Sequence, residues 1–289
     1  MRNHIIASSL AGIFAVSAAH AEIIVGNNTG FNPTIWEVDE TGIRPPVPVI
    51  TGQTVSGLTY DPNMRRLYWT NSNPESGQLL FRADYIPGQT APIDPIDLGG
   101  VHTPVSTITM QGLAFNSITN VMYGFHSGGG QTGFYRVSQQ NATCVLTNLL
   151  VDVEFDAIDF NDADGFFYGV NNAPASAALP GGPGLYRISG VGSGVLTFSL
   201  LANMPDGDSN IDGLAAGPET LYLINDVASQ GIIPYSLVSN SYLPAITTPL
   251  TGMDAVFAGG AYATPIPEPA TLAAISGLGA LALRRRSRR

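Results

Sequence analysis

The stretch that decides the fold is Gly57-Leu58-Thr59-Tyr60, a short turn, Leu67-Tyr68-Trp69-Thr70-Asn71, a loop, and Leu80-Phe81-Arg82-Ala83, because it recurs along the chain. Apolar and polar residues alternate within each piece, which is the period expected of half-buried strands. The second copy reads Gly112-Leu113-Ala114-Phe115, Met122-Tyr123-Gly124-Phe125-His126 and Phe134-Tyr135-Arg136-Val137. The third reads Ala157-Ile158-Asp159-Phe160, Phe167-Tyr168-Gly169-Val170-Asn171 and Leu185-Tyr186-Arg187-Ile188. The fourth reads Gly213-Leu214-Ala215-Ala216, Leu221-Tyr222-Leu223-Ile224-Asn225 and Pro234-Tyr235-Ser236-Leu237. Another apolar segment follows each copy, around Ile96 to Leu98, Val145 to Leu150, Leu196 to Leu201 and Ile246 to Leu250. Each unit therefore holds four strands.

The first strands begin at residues 57, 112, 157 and 213, a spacing of 45 to 56 residues. Propeller blades repeat at ~40–50 residues. The chain ends supply what the repeats leave over. Ile23 to Asn27, Ile35 to Val38 and Val47 to Ile50 match second, third and fourth strands without a first, and Ala255-Val256-Phe257-Ala258 matches a first strand without successors. Joined, they make a fifth blade, which closes the ring and leaves no long sheet edge exposed. The expectation is an all-β chain with a five-bladed β-propeller over residues 22–264, closed by N- and C-terminal strands in one blade. It resembles in a general way the bacterial propellers with Leu-Tyr-Arg-Ile strands. A two-sheet sandwich or a β-solenoid is the competing architecture. Fixed aromatics on third strands (Trp36, Phe81, Tyr135, Tyr186, Tyr235) and second strands (Tyr68, Tyr123, Tyr168, Tyr222) are expected to pack between blades.

Both termini look like address labels. Residues 1–21 run from Arg2 through an apolar stretch, Ile5 to Ala18, to Ala19-His20-Ala21, the order of a secretory signal peptide with a short helix. Residues 265–289 hold Pro267-Glu268-Pro269, the apolar run Ala270 to Leu283, and five arginines among the last six residues. A helix of that run rises about 21 Å, short of the ~30 Å hydrocarbon core, so it predicts a short transmembrane helix in a thinned bilayer with the arginines on the cytoplasmic side. This triple closely resembles the PEP-CTERM sorting signal of Gram-negative bacteria, a resemblance confined to about the last 25 residues. It implies an exosortase as processing partner, export through the inner membrane with transient anchoring, loss of the tail, and release to the cell surface or extracellular polymer.

Composition narrows the chemistry. All 12 basic residues are arginine, which excludes a P-loop lysine, a Schiff base and a lysine general base. Between Glu22 and Thr264 six arginines face 21 acidic side chains, a net charge of −15. Such a surface repels nucleic acid and anionic lipid. One cysteine, Cys144, permits no internal disulfide, and only His102 and His126 remain outside the signal segment, so a cysteine or histidine-rich metal site is out.

In a propeller the start of each first strand shares a mouth with the end of the second strand. Those positions pair Ser56 with Asn71, Gln111 with His126, Asp156 with Asn171, Asp212 with Asn225, and Asp254 with Asn27. Convergent polar side chains on a rigid scaffold suit a sugar or a divalent cation, with Asp156, Asp212 and Asp254 as anchors. The plainer account is that strand-end Asn and Asp satisfy local backbone groups. A calcium site is a second candidate. Asp206, Asp208, Asn210 and Asp212 place oxygens at positions one, three, five and seven of a calcium loop, although Ile211 replaces its turn glycine and Gly217 its bidentate glutamate. The sequence reads as a non-enzymatic exported surface or matrix protein that binds polysaccharide, a cation or another protein. The alternative is a glycan-active enzyme, glycoside hydrolase-like, using the channel aspartates.

Overall fold

The computed structural model describes residues 21–29, 33–71, 77–89, 93–128, 130–205, 210–226, 231–247 and 256–264. The signal and sorting segments, with Pro267, Glu268 and Pro269, and the side chains of Asp206, Asp208 and Asp254 lie outside the described residues.

The described chain is all strand and turn, arranged as five four-stranded antiparallel sheets around an axis. The closing blade contains β1 (Glu22–Thr29), β2 (Thr34–Asp39) and β3 (Val47–Thr51). The first full repeat forms β4 (Gly57–Asp61), β5 (Arg66–Thr70), β6 (Leu79–Asp84) and β7 (Ile96–Gly100). The second forms β8 (Gly112–Asn116), β9 (Val121–His126), β10 (Gly133–Val137) and β11 (Cys144–Leu149). The third forms β12 (Phe155–Asn161), β13 (Phe166–Asn171), β14 (Gly184–Ser189) and β15 (Thr197–Asn203). The fourth forms β16 (Ile211–Ala216), β17 (Thr220–Asn225), β18 (Ile232–Ser236) and β19 (Ser241–Tyr242). The last strand, β20 (Val256–Ala263), returns to pair with β1, so the chain ends share one blade.

Hairpins between first and second strands repeat one device in the first three repeats. Asp61 accepts the backbone N–H groups of Asn63 and Met64, Asn116 that of Thr119, and Asn161 that of Ala163. A residue in the left-handed region then closes the turn, Arg65 (φ 56), Asn120 (φ 58) or Gly165 (φ 77).

The apolar face of each blade packs on the next, giving five clusters of buried side chains between consecutive blades. Tyr68, Tyr135, Tyr168, Tyr186 and Tyr235 are at most 2% exposed, as expected of aromatics at inter-blade positions. The inner strands approach almost backbone to backbone. A Cβ on Gly112 would stand 2.7 Å from the backbone nitrogen of Ile158, and one on Gly213 would stand 3.0 Å from the carbonyl carbon of Gly259. That contact explains why the first strand of three repeats opens on glycine and the remaining one on alanine. The seam is also tied by Glu40, which accepts the Tyr222 and Tyr262 hydroxyls at 3.2 and 3.0 Å below their stacked rings.

Three details of register depart from the expectation. In the closing blade Val25 pairs with Gly260, whereas in the first repeat Trp69 pairs with Leu58, so Gly259-Gly260-Ala261-Tyr262 matches Gly57 to Tyr60, four residues beyond Ala255 to Ala258. In the fourth repeat Leu223 pairs with Ile233, which takes the place of Phe81, Tyr135 and Tyr186, with Tyr235 two residues further on. Shifts of two and four leave every side chain on its original face, so the apolar alternation cannot detect them. The fourth strand of that repeat is Ser241–Tyr242, while Ile246 makes only an isolated bridge to Ile232.

Candidate functional site

At one mouth of the ring, first strands begin and second strands end. In the third repeat Phe155 pairs with Asn171 and Ala157 with Val170, which leaves Asp156 as an extra, bulged residue. In the fourth, Ile211 pairs with Asn225 and Gly213 with Ile224, and Asp212 is bulged in the same way. A bulge adds a residue without a ladder partner and re-aims its side chain. The first two repeats hold Ser56 and Gln111 there, whose backbone N–H groups still bond to Thr70 and Phe125. The closing blade's register puts Ala258 at this position.

Asp156 and Asp212 are half-buried and carry like charges close together. Burial, reinforced by the charges of Asp212 and Glu154 and opposed by the Asn172 amide, pushes the Asp156 carboxyl up to about 7. Burial and then the charge of Asp226 raise Asp212 to about 6. Asn172 donates from Nδ2 to Asp156 and, at 3.5 Å, to the Ile211 carbonyl, tying the two bulges together. Its Oδ1 is enclosed and has no donor. Asn172, Asp226 and Glu154 were not singled out by the sequence, since each stands one or two residues from a position the repeat does mark.

The strand-end asparagines are used largely within the fold. Asn171 is 0% exposed, accepts the Glu154 N–H and donates to the carbonyls of Ala173 and Gly182. Asn71 accepts the N–H of Leu79 at 2.7 Å. Asn27 and Asn225 are buried at the equivalent places. His126 is held through Nδ1 to the Thr109 carbonyl at 2.6 Å, and Gln111 accepts the Ser127 N–H. Asn71 and Asn171 thus clamp the loops that follow their second strands, and Asp156 and Asp212 are the bulged, half-buried carboxylates at this mouth, with the charges of Glu154 and Asp226 beside them. Of the calcium-loop residues, Asn210 is exposed and Asp212 bulged. Among the described residues, no group of three or more His, Cys, Asp and Glu side chains is placed to hold a metal.

A stability profile follows from these carboxyls. Glu22, at the seam and bonded to Arg44, is also raised to about 7, chiefly by burial. An acid whose folded pKa lies above its unfolded value near 4 binds more protons folded than unfolded between the two, so stability falls as pH rises through that interval. Urea midpoints are expected to drop between pH 5 and pH 7.5, by roughly 1–3 kcal/mol in unfolding free energy, and the double variant Asp156→Asn, Asp212→Asn should flatten the slope. A midpoint that climbs across that interval would contradict the assignment.

The chain matches no protein-family profile and no curated protein. It is similar to solved structures at low identity. A chain from a nidogen/laminin complex aligns at 11% identity over 84% of this chain and 98% of that one, with a TM-score of 0.53. TolB from Acinetobacter baumannii aligns at 11% identity over 85% and 67%, with a TM-score of 0.48. A gluconolactonase from Xanthomonas campestris aligns at 11% identity over 66% and 62%, with a TM-score of 0.39. The fold defines the class: this protein has a five-bladed β-propeller body sealed by its own chain ends.

Proposed function

We propose that this is an exported surface or matrix protein, delivered through its C-terminal sorting segment, whose propeller is a non-enzymatic module that binds hydroxyl groups of an extracellular polysaccharide. The observation that carries the reading is the pair of bulges that turn Asp156 and Asp212 into one mouth with the Asn172 amide between them. Carboxylate oxygens accept hydrogen bonds from sugar hydroxyls, and an adjoining amide orients the acceptor. A body with six arginines against 21 acids suits a neutral glycan better than an anionic one.

Polysaccharide from the producing cell's matrix should be retained by the immobilised propeller, and Asp156→Ala and Asp212→Ala should each weaken retention by about tenfold, the loss of one charged hydrogen bond. Retention unchanged in both variants would remove the mouth from the account. For delivery, replacing Pro267, Glu268 and Pro269 by alanine should leave the protein in the membrane fraction and abolish surface display.

One observation favours the enzymatic alternative. Two neighbouring carboxyls raised to about 7 and about 6 could act as acid and base in glycoside hydrolysis. Release of reducing ends, lost in Asp156→Asn, would establish it in place of the binding role.

A further inference from the structure

The closing blade buries more negative than positive charge. Glu22, Glu37 and Asp39 are 3, 4 and 5% exposed. Glu22 pairs with Asp39 and Ile24 with Glu37 across the β1–β2 ladder, so strand alternation puts all three carboxylates on one face, the face that packs on the first repeat through Ile24 and Tyr85. Among the described residues one cation joins them. Arg44, from the loop after β2, bonds to Glu22 and stands 3.6 Å from Asp39. Tyr85 donates its hydroxyl to Glu37, and the Gly88 N–H donates to the same oxygen at 2.9 Å. Tyr60 meets the Tyr85 ring edge-on, and β20 sets Ala263 and Ala261 opposite Glu22 and Ile24.

Three buried carboxylates against one guanidinium leave a deficit of positive charge, and buried charge is costly unless it is paired. The charges acting on Glu22 are those of Glu37, Arg44 and Asp39; burial, opposed by the Arg44 bond and helped by the charge of Glu37, pushes its carboxyl up to about 7. A second cation can arise inside the cluster without any new residue. The backbone nitrogen of Glu22 is an amide while Ala21 precedes it, and it becomes an ammonium when the signal segment is cut after Ala21. Strand β1 begins at Glu22, held between Asp39 and Ala263, so the new charge is fixed beside the carboxylates and not on a loose end.

We propose that removal of the signal segment locks the ring, because the α-ammonium it creates at Glu22 pairs with the Asp39 and Glu22 carboxylates, with Glu37 beside them. Hydrolysis adds one water across the Ala21–Glu22 bond: Ala21 leaves as a carboxylate and the Glu22 nitrogen takes up the protons. The inference rests on the export reading and is independent of the polysaccharide reading. Before the cut the closing blade carries its excess negative charge, and after it the chain ends are held more firmly together. An α-amine has an ordinary pKa of about 8, and neighbouring carboxylates raise it in the folded state. Its contribution to stability is therefore complete below about pH 8 and is lost as pH rises through the folded value.

The chain has no lysine, so in the chain from Glu22 to Arg289 the α-amine is the sole primary amine, and an amine-directed acetylating reagent neutralises it alone. The test compares thermal unfolding at pH 7 of that chain with its amine free and with its amine acetylated in urea before refolding. The free form should melt about 4–8 °C higher. Its amine should react with the reagent at least tenfold more slowly folded than unfolded, and its advantage should shrink as pH rises above about 9. Asp39→Asn, or Glu22→Gln where that variant does not fold, should at least halve the difference between free and acetylated forms. Equal melting of the two forms would overturn the proposal, and so would a difference undiminished in both variants, which would assign it to terminal charge in general. N-terminal sequencing of the secreted protein separates the two readings. A chain that begins at Glu22 and melts alike in both forms sinks the lock and leaves export standing, whereas a chain that keeps residues 1–21 sinks export and the lock with it.

Discussion

Deleting residues 22–29 is expected to abolish cooperative unfolding altogether. Strand β1 lies between β20 and β2, so its loss separates the last inner strand from the rest of its blade. Ile23, Ile24 and Val25 are each 0% exposed and enter the apolar clusters on both sides of the closing blade. Burying a Val or Ile contributes about 1.5–3 kcal/mol, so three such side chains supply roughly 5–9 kcal/mol. A domain's whole margin is about 5–15 kcal/mol. The ladders to both neighbours are lost in addition. Circular dichroism during urea titration should show a broad, non-cooperative change, and the variant should elute as aggregate. A sharp transition near the wild-type midpoint would mean that closure through the chain ends is unimportant.

The second large effect is expected at Trp69. Its side chain is 0% exposed between the closing blade and the first repeat, stacked on Phe81 at 5.6 Å with ring planes 15° apart. Truncation to alanine loses the transfer energy and leaves a cavity that strands of a closed ring cannot collapse to fill. The expected cost of Trp69→Ala is about 3–5 kcal/mol in urea unfolding. Trp69→Phe keeps the stacking and removes an indole N–H that has no acceptor, so part of its smaller packing loss should be offset. The two variants should therefore differ by at least about 2 kcal/mol. Equal costs would show that the stacking contributes nothing beyond filling space.

The repeat was legible because it is written in local chemistry. Glycine at the inner-strand start, tyrosine on the second strand and an Asx residue at the hairpin each answer a contact repeated around the axis. Where the reading slipped, the cause was also physical. The first-strand match at Ala255 to Ala258 stood four residues early and the third-strand match at Tyr235 two residues late, and both errors preserve strand parity. The mouth was read partly. Asp156 and Asp212 were visible as acids at the right phase, but Asn171 looked equally suited, and only its hydrogen bonds place it in a loop clamp.

By itself the sequence determined the all-β class, the four-strand unit, the count of five and the pairing of the chain ends, since each follows from alternation and spacing along a single strand or turn. The tertiary structure alone decided which polar side chains meet. A single bulged residue in each of two repeats turns Asp156 and Asp212 out of their ladders at one mouth, which depends on register and curvature between strands distant in the chain.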